Sequence, residues 1–401
     1  MNTKNIQCQN CDKNFTIIED DQNFYTKMQV PLPTFCPDCR LRRRLAFRNE
    51  RALYKRNCDL CKKSIVSVYN KDKELLVYCS PCWWSDNWDD TKYGKDYNWN
   101  KPFFEQLRDL IKVVPKIALN VDSPKRLINS EYVNYAGPMK NCFMVISAEK
   151  NENCMYSLYI HYSNNSADCT GVSRLENSYE LFNCQNCYET YYSTDCNNCM
   201  GVYFSKDLNN CEYCFGCVSL RNKKYYIFNK PYSKEEYFKE LEKFNLVSFK
   251  SRQEIIKKVK AFWKKFPNKY YHGKKNNNIS GDYVYNSKNV FNSFNVTDGE
   301  NSKYCNLISL KSFKDCYDYT DWGNNATLVY EAENCGENIN NIKFSYGSYV
   351  GYNINYCDVV YNSNNMFGCI SLKNKQYCIL NKQYTKEEYE ELVPKIIKHM
   401  G

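Results

Sequence analysis

The sequence predicts a mainly β protein: two tandem four-cysteine ribbons at the N-terminus, followed by two duplicated short-rung β-solenoids (β-helices), each capped by an α-helix. Three observations support this fold. Cysteines recur every 12 residues, as at Cys187, Cys199 and Cys211, and a fixed short period indicates a small unit stacked on itself. Four Cys-x-x-Cys motifs form two pairs near the N-terminus. Residues 215–237 recur at 367–389 with 16 of 23 positions identical, which indicates an internal duplication.

The composition limits the class of protein. The chain has 401 residues, more than one hydrophobic core usually serves, so we expect two or three domains. Aromatic residues make up 16% of the chain, which excludes a disordered protein. The sequence shows neither an apolar leader nor a membrane-spanning run, so we expect a cytoplasmic protein whose 24 cysteines are reduced or metal-bound. The net charge of +10 permits an anionic partner.

The paired Cys-x-x-Cys motifs have the spacing of zinc ribbons. Two tight turns aim four thiolates at one point, which suits the tetrahedral preference of Zn²⁺. Four thiolates leave no open position for water or substrate, so we expect two structural zinc sites rather than catalytic ones. Ribbon 1 spans residues 1–57 and ribbon 2 spans residues 58–115. The predicted ligands are Cys8, Cys11, Cys36 and Cys39 in ribbon 1 and Cys58, Cys61, Cys79 and Cys82 in ribbon 2.

The first ribbon contains the segment CQNCDKNFTIIEDDQNFYTKMQVPLPTFCPDCRLRRR. This segment resembles the probable zinc-ribbon family, whose pattern is a Cys-x-x-Cys knuckle, a Phe-rich strand, a Gln-x-Phe-Tyr stretch and a closing Cys-Pro-x-Cys-Arg. The resemblance covers about residues 6–44 and implies zinc at the four cysteines of ribbon 1. The continuation FCPDCRLRRRLAFRNERALYKRNCDLC is similar to uncharacterised candidate-phyla bacterial proteins with the same layout of zinc head and Cys-rich region. Neither resemblance implies a function, and the second ribbon rests on spacing alone.

A basic segment joins the two ribbons. Leu41, Leu45 and Leu53 could form one apolar helical stripe, which would leave the arginines on the outer face. Arginine forks match phosphate oxygens, so this face is a hypothetical contact for RNA or DNA. The alternative is a solvated or internally paired face. The predicted nucleic-acid contacts are Arg40, Arg42, Arg43, Arg44, Arg48, Arg51, Lys55 and Arg56.

A tryptophan-rich segment follows the second ribbon. Trp83, Trp84, Trp88 and Trp99 could stack on bases, but we favour packing of one domain against the next. Apolar residues at helical spacing then predict a helix that ends at Pro115 and connects the ribbons to the first solenoid.

The first solenoid is predicted over residues 129–231. Its repeated pattern is Asn or Asp, followed by Cys or Tyr and then by alternating apolar residues. This pattern indicates short strands whose inward residues stack along an axis. Asparagine tolerates left-handed backbone at the corners, and stacked asparagines can form a ladder. Cysteine is a small filler for a narrow core. A third metal site remains an alternative for the cysteines at 184, 187, 196, 199, 211, 214 and 217.

Helices are predicted after each solenoid. Ser233 with Glu236, and Thr385 with Glu388, form capping boxes that would start a helical cap and spacer at 232–267 and a C-terminal capping helix at 384–401. A further capping box at Ser251 predicts the start of a basic amphipathic helix, which would pack between the solenoids, or else lie on a membrane or bind RNA. The second solenoid is predicted over 281–381, where rows of Tyr and Asn would suit a protein or polymer partner.

Catalytic signals are weak. The three histidines, at 161, 272 and 399, have no recognisable catalytic setting, and the chain lacks a phosphate-binding loop and a nucleophile elbow. We therefore expect a non-enzymatic protein that binds nucleic acid through its ribbons, with a pure protein–protein scaffold as the alternative. A carbohydrate-active β-helix is a further alternative, for which Asp315, Asp318 and Asp321 are the best candidates.

Overall fold

The computed structural model describes residues 3–121, 123–308, 313–318, 320, 326–327, 329–336 and 338–400. The predicted fold is confirmed: the described chain is mainly β, with two four-cysteine ribbons, long parallel ladders of short strands, and capping helices. Its α-helices, α1 to α7 in chain order, are Glu19–Lys27, Pro37–Leu45, Ser80–Trp83, Phe103–Val113, Lys234–Leu241, Phe249–Trp263 and Lys386–His399. Its short 3₁₀ helices are Asp90–Tyr93 and Pro124–Arg126.

The strands fall into the ribbons and the two solenoids. The ribbon strands are Lys4–Gln7, Asn14–Ile17, Tyr54–Asn57, Ser64–Ser67 and Val77–Tyr78, the last paired with Lys116–Ile117. The strands of the first solenoid are Leu127–Ile128, Asn134–Ala136, Met139–Lys140, Ile146–Ala148, Asn151–Glu152, Leu158–His161, Thr170–Glu176, Tyr179–Phe182, Gln185–Thr194, Asn197–Tyr203, Glu212–Phe215, Lys224–Ile227 and Lys230–Pro231. Those of the second are Gly273–Lys274, Asn277–Tyr285, Lys288–Thr297, Gly299–Lys303, Asn306–Ile308, Phe313–Lys314, Cys316–Tyr317, Val329–Tyr330, Ile339–Lys343, Tyr346–Tyr349, Gly351–Asn355, Asp358–Tyr361, Asn364–Phe367, Gln376–Ile379 and Lys382–Gln383.

Each coil of the first solenoid contains 12 residues, because parallel strands pair in that register, as Cys187 does with Cys199. The expected alternation of inward and outward residues is wrong, however. Every third residue points inward, as Cys187 and Thr190 do, and the residue before each of them is left-handed, with φ of 51° at Asn186 and 46° at Glu189. A left-handed residue turns the chain after every three residues, so one coil has four short sides and four inward positions.

Small polar residues fill this narrow interior because they satisfy the backbone around them. Ser163 Oγ donates to the carbonyl of His161 at 2.9 Å and accepts from the amide of Leu175, one coil further on, at 3.0 Å. The thiol of Cys154 lies 3.4 Å from the carbonyl oxygens of Glu152 and Ser163. All cysteines from 142 to 217 are buried and free of disulfides. Cysteine as a small core filler is therefore confirmed.

The predicted asparagine ladder is also present. Five asparagines occupy one left-handed corner on successive coils. Four hydrogen bonds of 2.9–3.1 Å join them, each from a side-chain amide to the side-chain oxygen of the next asparagine. Asparagine suits this corner because it adopts positive φ more readily than most residues with a Cβ. The members of this ladder are Asn129, Asn141, Asn153, Asn165 and Asn177.

We expect Asn153→Ala to lower the free energy of unfolding by about 1–2 kcal/mol, because it breaks two ladder bonds and leaves an alanine at φ of 54°. Urea denaturation measures the change. Asn164→Ala is the matched control, since Asn164 is exposed and has an ordinary φ. Equal effects of the two substitutions would contradict the stabilising role of the ladder.

The second solenoid has longer coils in its middle. Paired residues lie 14 apart in Lys303–Tyr317, 13 apart in Tyr317–Tyr330 and Tyr330–Lys343, and 12 apart again in Lys343–Asn355. These longer coils carry Asp318, Glu331 and Glu333, all buried. The change in coil length therefore coincides with the acidic part of this solenoid.

Both predicted capping boxes are confirmed at α5 and α7. In α5, Ser233 Oγ accepts from the Glu236 amide at 3.2 Å, and the Glu236 carboxylate accepts from the Ser233 amide at 3.0 Å; Thr385 and Glu388 do the same in α7. The capping box predicted at Ser251 is wrong, because Ser248 caps α6 and Ser251 lies inside that helix. Helix α6 packs on the end of the first solenoid through Ile255 and Val259.

The second ribbon and α4 cover other ends of the solenoids, whereas the first ribbon packs on the middle coils of the second solenoid. The second ribbon adds Cys58, Tyr78 and Trp83 to the core that begins the first solenoid. Helix α4, expected to connect the ribbons to the first solenoid, also packs against the last coils of the second solenoid and against α7. The ribbons are thus in contact with both solenoids.

Candidate metal centres

Two clusters of four cysteines have the geometry of metal sites. Within each cluster the Sγ atoms lie within 4.8 Å of one another. One pair of ligands comes from the turn of a β-hairpin, and the other comes from a helix start, where Cys36 caps α2 and Cys79 caps α3. The structure brings together all eight predicted ligands, in the two predicted groups: Cys8, Cys11, Cys36 and Cys39; Cys58, Cys61, Cys79 and Cys82.

The two clusters are built in the same way. After each hairpin Cys-x-x-Cys a left-handed residue turns the chain, with φ of 59° at Asp12 and 62° at Lys62. The amide of Cys36 donates to Cys8 Sγ at 3.2 Å, and the amide of Cys79 donates to Cys58 Sγ at 3.2 Å. The second ribbon, predicted from spacing alone, therefore repeats the geometry of the first.

Backbone donors favour the thiolate form of one cysteine in each cluster, whereas burial raises the pKa of Cys36 to about 12 and also raises that of Cys82. A hydrogen bond from the backbone of Lys63 is the main reason that the pKa of Cys61 falls to about 7. Burial raises the pKa of Cys8, but backbone hydrogen bonds, the largest from Cys36, outweigh it and bring this pKa to about 6. Four soft thiolates in a closed cluster fit a tetrahedral structural ion and leave no coordination position for a substrate.

The solenoid cysteines do not form a third cluster of this kind. Among the described residues, only the two ribbons bring three or more potential ligands within the same distance. Cysteines such as Cys184 and Cys199 instead occupy inward positions of the solenoid, where they contact neighbouring thiols and donate to backbone carbonyls.

Arg40 and Arg44 point from α2 into the second solenoid and share the carboxylate of Asp318. Arg40 donates to it through Nε and, at 3.0 Å, through Nη2; Arg44 donates through Nη1 at 3.0 Å. The side chains of Arg40, Arg44 and Asp318 are 1%, 3% and 0% exposed. Burial opposes ionisation of Asp318, yet the two guanidinium groups hold its pKa below the usual value. The expected outward orientation is wrong for both arginines.

Arg43 and Arg48 also reach the acidic coils. Arg43 Nη2 lies 2.5 Å from both carboxylate oxygens of Glu331. Arg48 donates to Glu333 at 2.8 Å and lies 2.6 Å from Glu50, with its side chain 4% exposed. Arg48 therefore also faces inward, contrary to expectation, whereas Arg43 remains partly exposed.

The physical reason is that α2 is shorter than expected and turns a different face to its neighbour. It ends at Leu45, which is exposed, so Leu41, Leu45 and Leu53 do not form a buried helical stripe. Buried carboxylates on the second solenoid attract the guanidinium groups instead. Of the other predicted contacts, Arg56 is buried beside Asp59, whereas Arg42, Arg51 and Lys55 are exposed.

The tryptophan cluster packs the second ribbon on the second solenoid. The rings of Trp83 and Trp84 lie 5.5 and 4.8 Å from that of Tyr361. Lys373 donates to the carbonyl of Trp83 and lies over its ring and that of Trp88. The preference for domain packing is confirmed for these tryptophans.

The predicted acidic site does not form an accessible cluster. Asp318 is fully buried between two arginines, and Asp315 lies 3.6 Å from Lys27. Asp321 lies outside the described residues. A carboxyl that cleaves a polysaccharide has to contact the sugar, and Asp318 cannot do so from this position.

The fold and site together define a class: a cysteine-rich β-solenoid protein with two four-thiol centres that could hold metal ions. In the described chain, no helix combines the length and apolar character needed to cross a membrane. No protein-family model matches the sequence, and a search of curated proteins found no significant match.

Proposed function

We propose that this protein is a non-enzymatic scaffold in which Zn²⁺ in both ribbons helps to fix two β-solenoids, whose faces bind a protein partner. The observation that supports this best is the direction of Arg40, Arg44 and Arg48, which form ion pairs inside the molecule rather than face an external phosphate. Thiolate ligands and 24 free cysteines are consistent with the reducing cytoplasm.

The buried ion pairs support a fixed arrangement of ribbons and solenoids. Three arginines of α2 meet Asp318 and Glu331, and Arg48 follows with Glu333. Buried charges tolerate little displacement, because a change in geometry separates each charge from its oppositely charged partner and leaves it buried without one. The first ribbon is therefore a positioning element for the second solenoid, and zinc would keep α2 rigid.

An exposed apolar row on the first solenoid offers a surface for a protein partner. Tyr132, Phe143 and Tyr156 follow one another on successive coils with ring centroids 5.1 and 5.6 Å apart, and Met155 lies beside them. Aromatic residues and methionine are enriched in protein interfaces. This row, residues 132, 143, 155 and 156, is the surface that we propose for the partner.

Affinity capture tests this proposal. We expect the wild-type protein to retain a specific partner that Phe143→Ser combined with Met155→Ser loses, because the apolar row is then interrupted. Phe238→Ser is the matched control, since Phe238 is equally exposed but lies on α5. Retention by the double variant, or equal loss by the control, would refute a binding role for this row.

Nucleic-acid binding is a second candidate, favoured by the exposure of Arg42, Arg51 and Lys55 on a chain of net charge +10. It requires that RNA or duplex DNA bind the metal-loaded protein with an affinity that falls steeply as the salt concentration rises.

Fluorescence anisotropy decides between the two functions. For a protein scaffold we expect no more than non-specific binding, with a Kd of about 10⁻⁶ M or weaker, and little change on replacing the three cations with glutamine. Tighter binding that these replacements abolish would support nucleic acid instead.

A further inference from the structure

A cavity of about 380 Å³ lies where the first coils of the first solenoid meet the second ribbon and the second solenoid. Residues 135–137 and 147–150 of the first solenoid, with Tyr159 and His161, form one side of it. The second solenoid with Trp84 forms the other. This volume falls within the range of small-molecule sites, roughly 300–1,000 Å³. The cavity is separate from both four-cysteine clusters.

Aromatic rings give the cavity flat apolar walls. Tyr349 and Tyr361 stack at a centroid distance of 4.5 Å with an interplanar angle of 13°. The ring of Trp84 meets Tyr361 edge-on at 4.8 Å, and Tyr159 lines the opposite side. Such walls suit a planar ring, which gains stacking contacts there.

A half-buried histidine supplies a polar group in this wall. His161 ends the strand Leu158–His161, and its Nδ1 is buried with no hydrogen-bond partner among the described residues. Burial, with a smaller contribution from Lys150, lowers the pKa of His161 to about 4. The imidazole is therefore neutral near pH 7, with one donor and one acceptor nitrogen. Because Nδ1 is enclosed, a ligand in the cavity can reach the imidazole at Nε2, which is not among the enclosed polar atoms.

The charge around the cavity favours an anion. Among the described residues, the lining includes Arg126, Lys150 and Lys373 against one carboxylate, that of Glu149. Lys150 is half-exposed, and its ammonium lies 3.1 Å from Tyr162 Oη and 3.8 Å from Glu149. Lys150 and Arg126 thus place positive charge at the mouth, while the aromatic walls lie deeper. A neutral sugar would gain nothing from this charge.

We propose that the cavity binds a mononucleotide, with the base between the aromatic walls, a base nitrogen or oxygen hydrogen-bonded to His161, and the phosphate near Lys150 and Arg126. This site is independent of the scaffold role, because its lining shares no residue with the exposed row (132, 143, 155 and 156) or with the metal ligands. A ligand here would bridge the two solenoids and the second ribbon.

Isothermal titration of the full-length, metal-loaded protein tests the proposal. The probes are AMP, GMP, CMP and UMP, with the matching nucleosides, inorganic phosphate and maltose for comparison. We expect at least one mononucleotide to bind one per chain with a Kd below about 1 mM, and about tenfold more tightly than its nucleoside. Absence of binding by all four mononucleotides, or preferential binding of maltose, would overturn the proposal.

Two substitutions separate a binding role from a structural one. His161→Phe keeps the ring shape but removes both nitrogens, so we expect about tenfold weaker nucleotide binding together with an unchanged or higher Tm. Lys150→Gln should weaken the nucleotide but not the nucleoside. Lys140→Gln is its matched control, because Lys140 is similarly exposed and pairs with Glu152 one coil apart. Unchanged affinity in His161→Phe, or equal effects at both lysines, would also overturn the proposal.

Discussion

Replacing Cys58 with serine is expected to remove one of two metal ions and to lower the stability of the whole protein by about 5 kcal/mol or more. Structural zinc contributes about 10–16 kcal/mol of apparent binding free energy in zinc-finger peptides. Cys58 is fully buried, and it belongs both to the second four-cysteine cluster and to the core that begins the first solenoid. Losing this ligand therefore affects the metal centre and the solenoid end together.

Metal content by mass spectrometry and thermal unfolding on the same sample measure the effect. Cys199→Ser is the matched control: Cys199 is also buried, but it faces the solenoid interior, where serine already occupies equivalent positions such as Ser193 and Ser205. We expect this control to keep both metal ions and to lose only about 1–2 kcal/mol of stability. Two ions in Cys58→Ser, or equal destabilisation by the two substitutions, would contradict a metal centre in the second ribbon.

The sequence contains the features that repeat at fixed spacing. The paired Cys-x-x-Cys motifs predict both metal centres, and the 12-residue spacing of cysteines predicts the length of one solenoid coil. Asparagines at the corners predict the ladder of side-chain hydrogen bonds. These predictions succeed because each depends on local geometry or on a register that every coil repeats. The same local character explains the capping boxes of α5 and α7, in which both partners lie within four residues.

The inward orientation of every third residue was not predicted, because many residue types occupy the left-handed corner positions. Glu189, Tyr192 and Val350 all have positive φ, although such residues rarely adopt it. In these coils the parallel ladder on both sides determines the backbone, so the propensity of a single residue gives little signal. Only the burial of every third residue reveals the period, and short polar side chains at many inward positions hide it in the sequence.

The burial of the arginines could not be predicted for a different reason. Arg40 and Asp318 lie 278 residues apart, and Asp318 sits in the coils whose length departs from 12 residues. A basic segment has the same composition whether it faces solvent or a buried carboxylate. Arg40 and Arg44 lie one helical turn apart and so share one face, but nothing in the sequence indicates which face is buried. His161 was likewise visible only as one of three histidines, since its environment depends on the second solenoid.

Replacing Asp318 with asparagine is expected to lower the free energy of unfolding by about 3–5 kcal/mol, because it leaves the buried charges of Arg40 and Arg44 without their carboxylate. Urea denaturation at pH 7 measures this loss. Asp315→Asn is the matched control, three residues away, where the ion pair with Lys27 is partly exposed; we expect a loss below about 1 kcal/mol there. Similar losses in both variants would show that α2 does not depend on the buried pair.

The same carboxylate predicts how stability depends on pH. Its two arginines hold the pKa of Asp318 below its usual value in the folded protein, so the unfolded chain binds a proton at this carboxyl before the folded one does. Its contribution is therefore complete above about pH 5 and is lost as the pH falls below about 4, through the lowered folded pKa. Asp318→Asn should remove this part of the acid sensitivity, so that the difference in stability between wild type and variant shrinks as the pH is lowered from 5 towards 3. A difference that stays constant over this range would show that Arg40 and Arg44 do not hold the pKa of Asp318 below its value in the unfolded chain.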